Sequence, residues 1–193
     1  IWRKHLACLY VVFSIYNFFL LTIDKKTSGQ HNADNAAQAK LPKVLITSSL
    51  LKADPRSITL EQLNPVEVAR QITLLEFSIF EKITPEELLS LGWMTDSKEW
   101  VAPNITQLIS KSNSITEWVT QCILKAENAR QRRNILKQFI GICDACLEMN
   151  NYNTLFEIMM SLTSQPIYRL KQTWESLSKP EMAKFKKFDQ VTS

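Results

Sequence analysis

Four short patterns mark where helices begin in this chain. Asn64-Pro65-Val66-Glu67, Thr84-Pro85-Glu86-Glu87, Ser114-Ile115-Thr116-Glu117 and Ser178-Lys179-Pro180-Glu181 each set a small polar residue three positions ahead of a glutamate. At an N-cap, such a residue accepts from a first-turn amide that has no partner within the helix, while the glutamate reaches back to the cap amide. Pro65 and Pro85 suit a first helical position, where the missing N–H is an orphan in any case. The 193 residues include only 3 glycines, at 29, 92 and 141, so the turn chemistry of hairpins and phosphate-cradling loops is scarce. The sequence predicts an all-α fold without strands.

Apolar spacing agrees. Val68, Ile72, Leu75 and Ile79 recur at four and three, and Leu74, Phe77 and Phe80 widen that face, predicting a central helix covered on more than one side. Ile115, Trp118, Val119, Cys122 and Ile123 form the next stripe, and Ile135, Phe139, Ile142, Cys146 and Met149 a longer one that ends at Asn150-Asn151-Tyr152-Asn153. Leu155, Ile158, Met159 and Leu162 precede Pro166; Ile167, Leu170, Trp174 and Leu177 follow it, and Met182, Phe185 and Phe188 come last. These stripes make about seven helices joined by short Pro, Asn and Ser turns, with Gly92 stopping the helix that starts at Thr84.

The helical body spans 55–193, after an apolar segment at 1–23 and a polar linker at 24–54. Leu6 to Ile23 is a nearly unbroken apolar run of 18 residues, just long enough to cross a bilayer. It reads as a membrane anchor or uncleaved signal, as a helix packed on a missing partner, or as a gene-model artefact foreign to the mature protein.

Ordinary catalysis finds little support. Phosphate loops, dinucleotide glycine fingerprints, nucleophile elbows and paired-histidine metal motifs are missing, and both histidines, His5 and His31, precede residue 55. Cys143 and Cys146, three apart on an apolar helical face, read as buried reduced thiols, so no metal and no cofactor is expected. Glu76, Glu81, Glu86 and Glu87 read as solvated helix faces or first-turn charges, and Arg130, Arg132, Arg133 and Lys137 as a solvated basic face. A net charge of +4 with both signs interspersed does not call for nucleic acid.

The blocks "NPVEVARQITLLEFSIFEKITPEELLSLGW", "APNI", "SNSITEWVTQCIL", "RRNILKQFIGICDACLEMNNYNTLFEIMMSL" and "QPIYRLKQTW", in this order, resemble the catalytic domain of Ras-family guanine-nucleotide exchange factors (RasGEF), the group containing Son of sevenless, Ras-GRF and the Ral exchange factors. The resemblance runs from about Leu60 to Ser193. It implies an irregular multi-helix fold and a function without bond chemistry: a bowl of helices grips switch II of a Ras, Rap or Ral GTPase, and GDP leaves. By position it assigns the GTPase-binding wall to Leu108, Ile109, Lys111, Phe156, Met160, Thr163 and Tyr168. Phe156 and Ile109 would form an apolar pocket for a switch II aromatic, with Thr163 and Tyr168 offering hydrogen bonds at its rim. Plain core packing is the other reading of Phe156 and Met160. Arg169 and Trp174 go to the scaffold, and Asn151 and Asn153 to turn and cap. Whether Ser110 or Lys111 stands for a contacting arginine is open, and Met160 replaces a small residue.

In the family a Pro- and Gly-containing block and a wedge hairpin continue beyond the point matched by Ser193, so the resemblance implies an incomplete domain lacking the hairpin, with weak or no exchange by itself. It further implies a cytoplasmic protein recruited to the inner face of the plasma membrane, touching lipid through Leu6 to Ile23 or through its lipidated GTPase. A non-catalytic GTPase-binding adaptor and a membrane-tethered helical scaffold are the alternatives.

Overall fold

A computed structural model of the protein describes residues 50, 52–54 and 57–192, all within the unit Leu45–Ser193. The apolar run Leu6 to Ile23, nearly all of the linker at 24–54, and His5, Cys8 and His31 lie outside the described residues. The described residues hold nine α-helices and no strand: α1 Pro65–Phe80, α2 Pro85–Leu89, α3 Lys98–Val101, α4 Pro103–Leu124, α5 Ala129–Glu148, α6 Tyr152–Leu162, α7 Gln165–Tyr168, α8 Lys171–Glu175 and α9 Lys179–Thr192. The all-α expectation holds, and the two helices beyond about seven are α3, too short to display a period, and the division into α7 and α8 of the stripe that follows Pro166.

Most of the helix starts form as their sequences indicate. Asn64 Oδ1 accepts from Val66 N at 2.9 Å, Thr84 Oγ1 accepts from Glu87 N at 3.4 Å, and Ser178 and Glu181 make a reciprocal box at 3.4 and 2.7 Å. Glu67 does not return to its cap; it binds Arg70 and Gln71 at 2.7 and 2.8 Å. The start expected at Ser114 does not exist. α4 runs unbroken through it, and the Ser114 hydroxyl donates back to the Ser110 carbonyl at 2.9 Å.

The central helix is α5, not α1. Its Ile135, Leu136, Phe139, Ile140, Ile142, Cys143, Ala145 and Cys146 are buried, and α1, α4, α6, α8 and α9 all pack on it. Trp118 of α4 meets Phe139 edge-on at 5.2 Å. α1 instead leaves Leu74, Leu75 and Phe77 about half exposed, because apolar count does not reveal how many neighbours a helix has. Gly141 lets α1 approach: a Cβ there would stand 3.2 Å from Pro65.

α5 ends at Asn150, whose φ of 57° is left-handed. Asn151 N donates to Cys146 O at 2.8 Å and Asn150 N to Leu147 O at 3.2 Å, the paired bonds of a Schellman stop. Gly92 plays no such part. Leu91 takes the left-handed conformation after α2, and Gly92 is small because a Cβ would come within 2.5 Å of the Val101 side chain. The basic cluster is also less solvated than its sequence suggests: Arg133 and Lys137 lie 4.0 and 3.3 Å from Glu181 of α9, and Arg132 Nη2 donates to Ala126 O at 3.1 Å.

Cys122, Cys143 and Cys146 are free thiols, the last two buried. Burial, helped by the Glu76 and Glu157 carboxylates, pushes Cys146 up to about 12, and burial pushes Cys143 well up too. Iodoacetamide at pH 8 is therefore expected to leave Cys143 and Cys146 unmodified in the native protein and to alkylate both after unfolding, as site-resolved mass spectrometry would record.

Candidate functional site

α4 and α6 lie side by side. Ser161 Oγ donates to Thr116 O at 2.7 Å, and one turn earlier on both helices Ser112 stands beside Glu157, so the contacts advance together and the helices run parallel. Leu155, Ile158, Met159 and Leu162 give α6 its buried face. Phe156, Met160 and Thr163, at spacings of four and three, form a stripe along the flank of that face. Phe156 and Met160 are half-buried and Thr163 is exposed, its hydroxyl donating to Met159 O at 2.8 Å. Tyr168 closes α7 with 68% of its surface exposed.

The α4 contribution is divided. Leu108 is only 4% exposed and belongs to the interior. Ile109 and Lys111 are half-buried, but the helical repeat sets them roughly 160° apart around the axis. Lys111 borders an apolar groove of about 490 Å³ between α1 and α4, lined by Leu63, Val68, Ile72, Leu75 and Trp118 among others. Thus the stripe on α6 is one surface, while Lys111 stands on another side of α4. Trp174 is scaffold, as expected: its Nε1 donates to Ile167 O at 3.0 Å and its ring packs on Phe185 with centroids 4.7 Å apart.

Sequence reasoning missed the polar groups beneath this surface. Glu87 and Glu76, expected on solvated faces, are 4% and 6% exposed. One Glu87 oxygen accepts from both Asn104 N and Ile105 N at 3.0 Å, and the other from Asn104 Nδ2 at 2.6 Å. The Glu87 carboxylate therefore satisfies first-turn amides of α4, a helix whose own N-cap, Ala102, has no side chain to do so. Glu76 instead holds the side chains at the start of α6. It accepts from Thr154 Oγ1 at 2.6 Å, Asn151 Nδ2 at 3.0 Å and Asn153 Nδ2 at 2.9 Å. Asn151 is also the cap, accepting from Thr154 N at 3.0 Å. A signal for Glu76 existed: it falls four after Ile72 and three before Ile79, in phase with the buried face.

Glu157 joins this network from α6. It is 3% exposed; one oxygen accepts from Asn153 Nδ2 at 2.8 Å. Burial first, then the nearby Glu76 carboxylate, push it well above the usual carboxylate range, while the neighbouring Ser112 hydroxyl and the Asn153 amide act in the opposite sense. Among the described residues no group of three or more His, Cys, Asp or Glu side chains is placed to hold a metal ion, and no helix is long and apolar enough to cross a membrane.

Comparison with known proteins adds identity to this geometry. The model of the RasGEF domain family matches residues 67–193. Ras guanine nucleotide exchange factor Y of Dictyostelium discoideum is 34% identical over 183 residues, covering 89% of this chain and 12% of that protein. Ras guanine nucleotide exchange factor P of the same organism is 39% identical over 134 residues, 69% of this chain and 9% of its own. The Ras-specific guanine nucleotide-releasing factor RalGPS1 of Mus musculus is 37% identical over 132 residues, 68% and 23%. The chain thus spans less than a quarter of the length of each of these relatives.

The Glu157 proton has a testable consequence. The folded state keeps it where the unfolded chain, with an ordinary carboxylate, has released it above about pH 4.3. Its stabilising contribution is therefore full below that pH and is lost as pH rises toward the raised folded value. Glu157→Gln imitates the protonated form. Thermal melts at pH 5, 6 and 7 are expected to show the variant gaining on the native chain as the pH rises toward that folded value, by up to about 1.4 kcal/mol per pH unit.

Proposed function

The chain belongs to the RasGEF domain family, and on that premise we propose that it binds a small GTPase of the Ras family and promotes the release of its GDP. The observation that carries this reading is the family match across residues 67–193, nearly the whole described body. The physics is negative linkage. Whatever free energy an exchange factor gains on the nucleotide-free GTPase is subtracted from nucleotide affinity, so accelerating release by ~10⁴ requires about 5.5 kcal/mol of differential stabilisation. No side chain need make or break a bond; a broad surface held in one shape suffices.

The α6 stripe supports the assignment of that surface. Phe156 and Met160 provide half-covered apolar area beside a fully buried face, and Thr163 and Tyr168 add polar atoms at its edge. An aromatic or aliphatic side chain of the GTPase switch would settle there, with Ile109 contributing from α4. Leu108 backs the wall from the interior, and Lys111 contacts a different part of the same partner from the rim of the α1–α4 groove. The choice among Ras, Rap and Ral rests on these contacts. Such a protein acts in the cytoplasm, where the lipidated GTPase recruits it to the inner face of the plasma membrane.

The test is retention of the chain on immobilised nucleotide-free Ras, Rap and Ral, beside the rate of fluorescent GDP release from each. Binding to at least one nucleotide-free form, lost on adding GDP and magnesium, is expected. Tyr168→Ala, a change at an exposed position, is expected to weaken binding about tenfold and Phe156→Ala about tenfold or more, with the Tyr168→Ala melting temperature unchanged. Indifference of the native chain to all three GTPases ends the proposal.

A further inference from the structure

Glu87 and Glu76 are buried carboxylates on α2 and α1, and each reaches across to the first turn of another helix. Those two helices are α4 and α6, which bear most of the residues assigned to the docking surface. Of the longer helices, α1, α5 and α9 are capped locally and cheaply: Asn64, Asn128 and Ser178 each accept from an amide two or three residues further on. At α4 no local cap bond is made, and at α6 the local cap Asn151 is itself gripped by Glu76 and by Thr73 Oγ1 at 2.8 Å.

We propose that Glu87 and Glu76 are positioning residues that register the starts of α4 and α6 against α1 and α2, and so set the shape of the GTPase-docking surface without touching the GTPase. This rests on the function proposed above. Hydrogen bonds from amides to an ionised acceptor are shorter and about twice as strong as neutral ones, and a negative charge at a helix N-terminus is favoured by the helix dipole. The connection is directional too. Asn104 donates to Glu87 Oε1 and to Lys82 O, at 2.6 and 2.9 Å, so the first turn of α4 is tied both to α2 and to the turn after α1.

The lever arms are short. Ile109 lies five residues past Asn104, about 7.5 Å along the axis, and Phe156 only two past Thr154. Rotation of either first turn therefore moves a docking residue by a comparable distance. A buried charge is an expensive way to gain stability, since an apolar residue of similar shape often serves as well. It is an effective way to fix which turn of one helix faces which turn of another.

The experiment titrates the chain and its Glu87→Ala, Glu87→Gln and Glu76→Gln variants against nucleotide-free Ras, Rap and Ral, with amide hydrogen exchange and thermal melts on the same samples. Because both backbone amides share one Glu87 oxygen, glutamine retains an acceptor for them and acts as a partial rescue. Glu87→Ala is expected to lose protection at Asn104 and Ile105 and to raise the half-saturating concentration about tenfold, Glu87→Gln about threefold, with the binding plateau unchanged in both. Glu76→Gln is expected to raise it about threefold, with lost protection at the start of α6. If Glu87→Ala does not fold, the two glutamine variants carry the test.

Native affinity in folded variants, or a loss that follows only the folded fraction and lowers the plateau, overturns the proposal. A native chain that binds none of the three GTPases overturns the docking function and this proposal together. That outcome is distinguishable, because the hydrogen-exchange result reports separately whether the carboxylates hold the two helices.

Discussion

The burial of α5 is the constraint on which the rest of this domain depends. Its 20 residues carry eight buried side chains spread around more than one face, and each large aliphatic or aromatic group among them gains about 1.5–3 kcal/mol by leaving water. No single neighbour can cover such a helix. α1, α4, α6, α8 and α9 must all lie against it, and the short connections at 125–128 and 149–151 make α4 and α6 its antiparallel neighbours on either side in sequence. The parallel alignment of α4 with α6, on which the candidate surface is built, is a consequence of that enclosure.

Enclosing α5 creates a secondary problem that the polar residues solve. Helices that start against a core leave amides pointing where water cannot follow, and a buried amide without an acceptor costs about 1–3 kcal/mol. α4 meets this with a carboxylate borrowed from α2, and α6 with its own cap Asn151, held in turn by a carboxylate from α1. The solution brings its own strain: Glu76 and Glu157 share one dry region, where burial first and the neighbouring carboxylate second push the Glu157 carboxyl well above the usual range. Stability, helix register and protonation are thus parts of a single arrangement under the surface formed by Phe156, Met160 and Thr163. The function proposed above asks for a surface that keeps its shape when a partner empties its nucleotide site, and anchoring two adjacent helices is one way for a small bundle to provide it.

Much of this was legible in the chain. Asn64, Thr84 and Ser178 begin helices because each cap is a local matter of a few bonds among residues close in sequence, and the thiols of Cys143 and Cys146 are buried because their spacing extends an apolar stripe. The failures share a cause. Ser114 has the sequence of a cap, yet α4 passes through it because helix propagation from Pro103 and burial of Ile105, Leu108, Ile115 and Val119 outweigh one local hydrogen bond. Gly92 looked like a helix stop and proved to be a point of close approach to Val101. Glu87 looked solvated because its first-turn position explains a charge without any partner, and its true partners are 17 and 18 residues away.

By itself, then, the sequence determined that the chain is helical, where most helices begin, which faces seek the core and which family it resembles, since these depend on spacing and on neighbours within a turn. The tertiary structure alone decided which helix is central, that α4 runs on through Ser114, and that Glu76, Glu87 and Glu157 are buried. Those outcomes arise from contacts between residues far apart in the chain, where burial of an entire face competes with, and overrides, the preferences of any short segment.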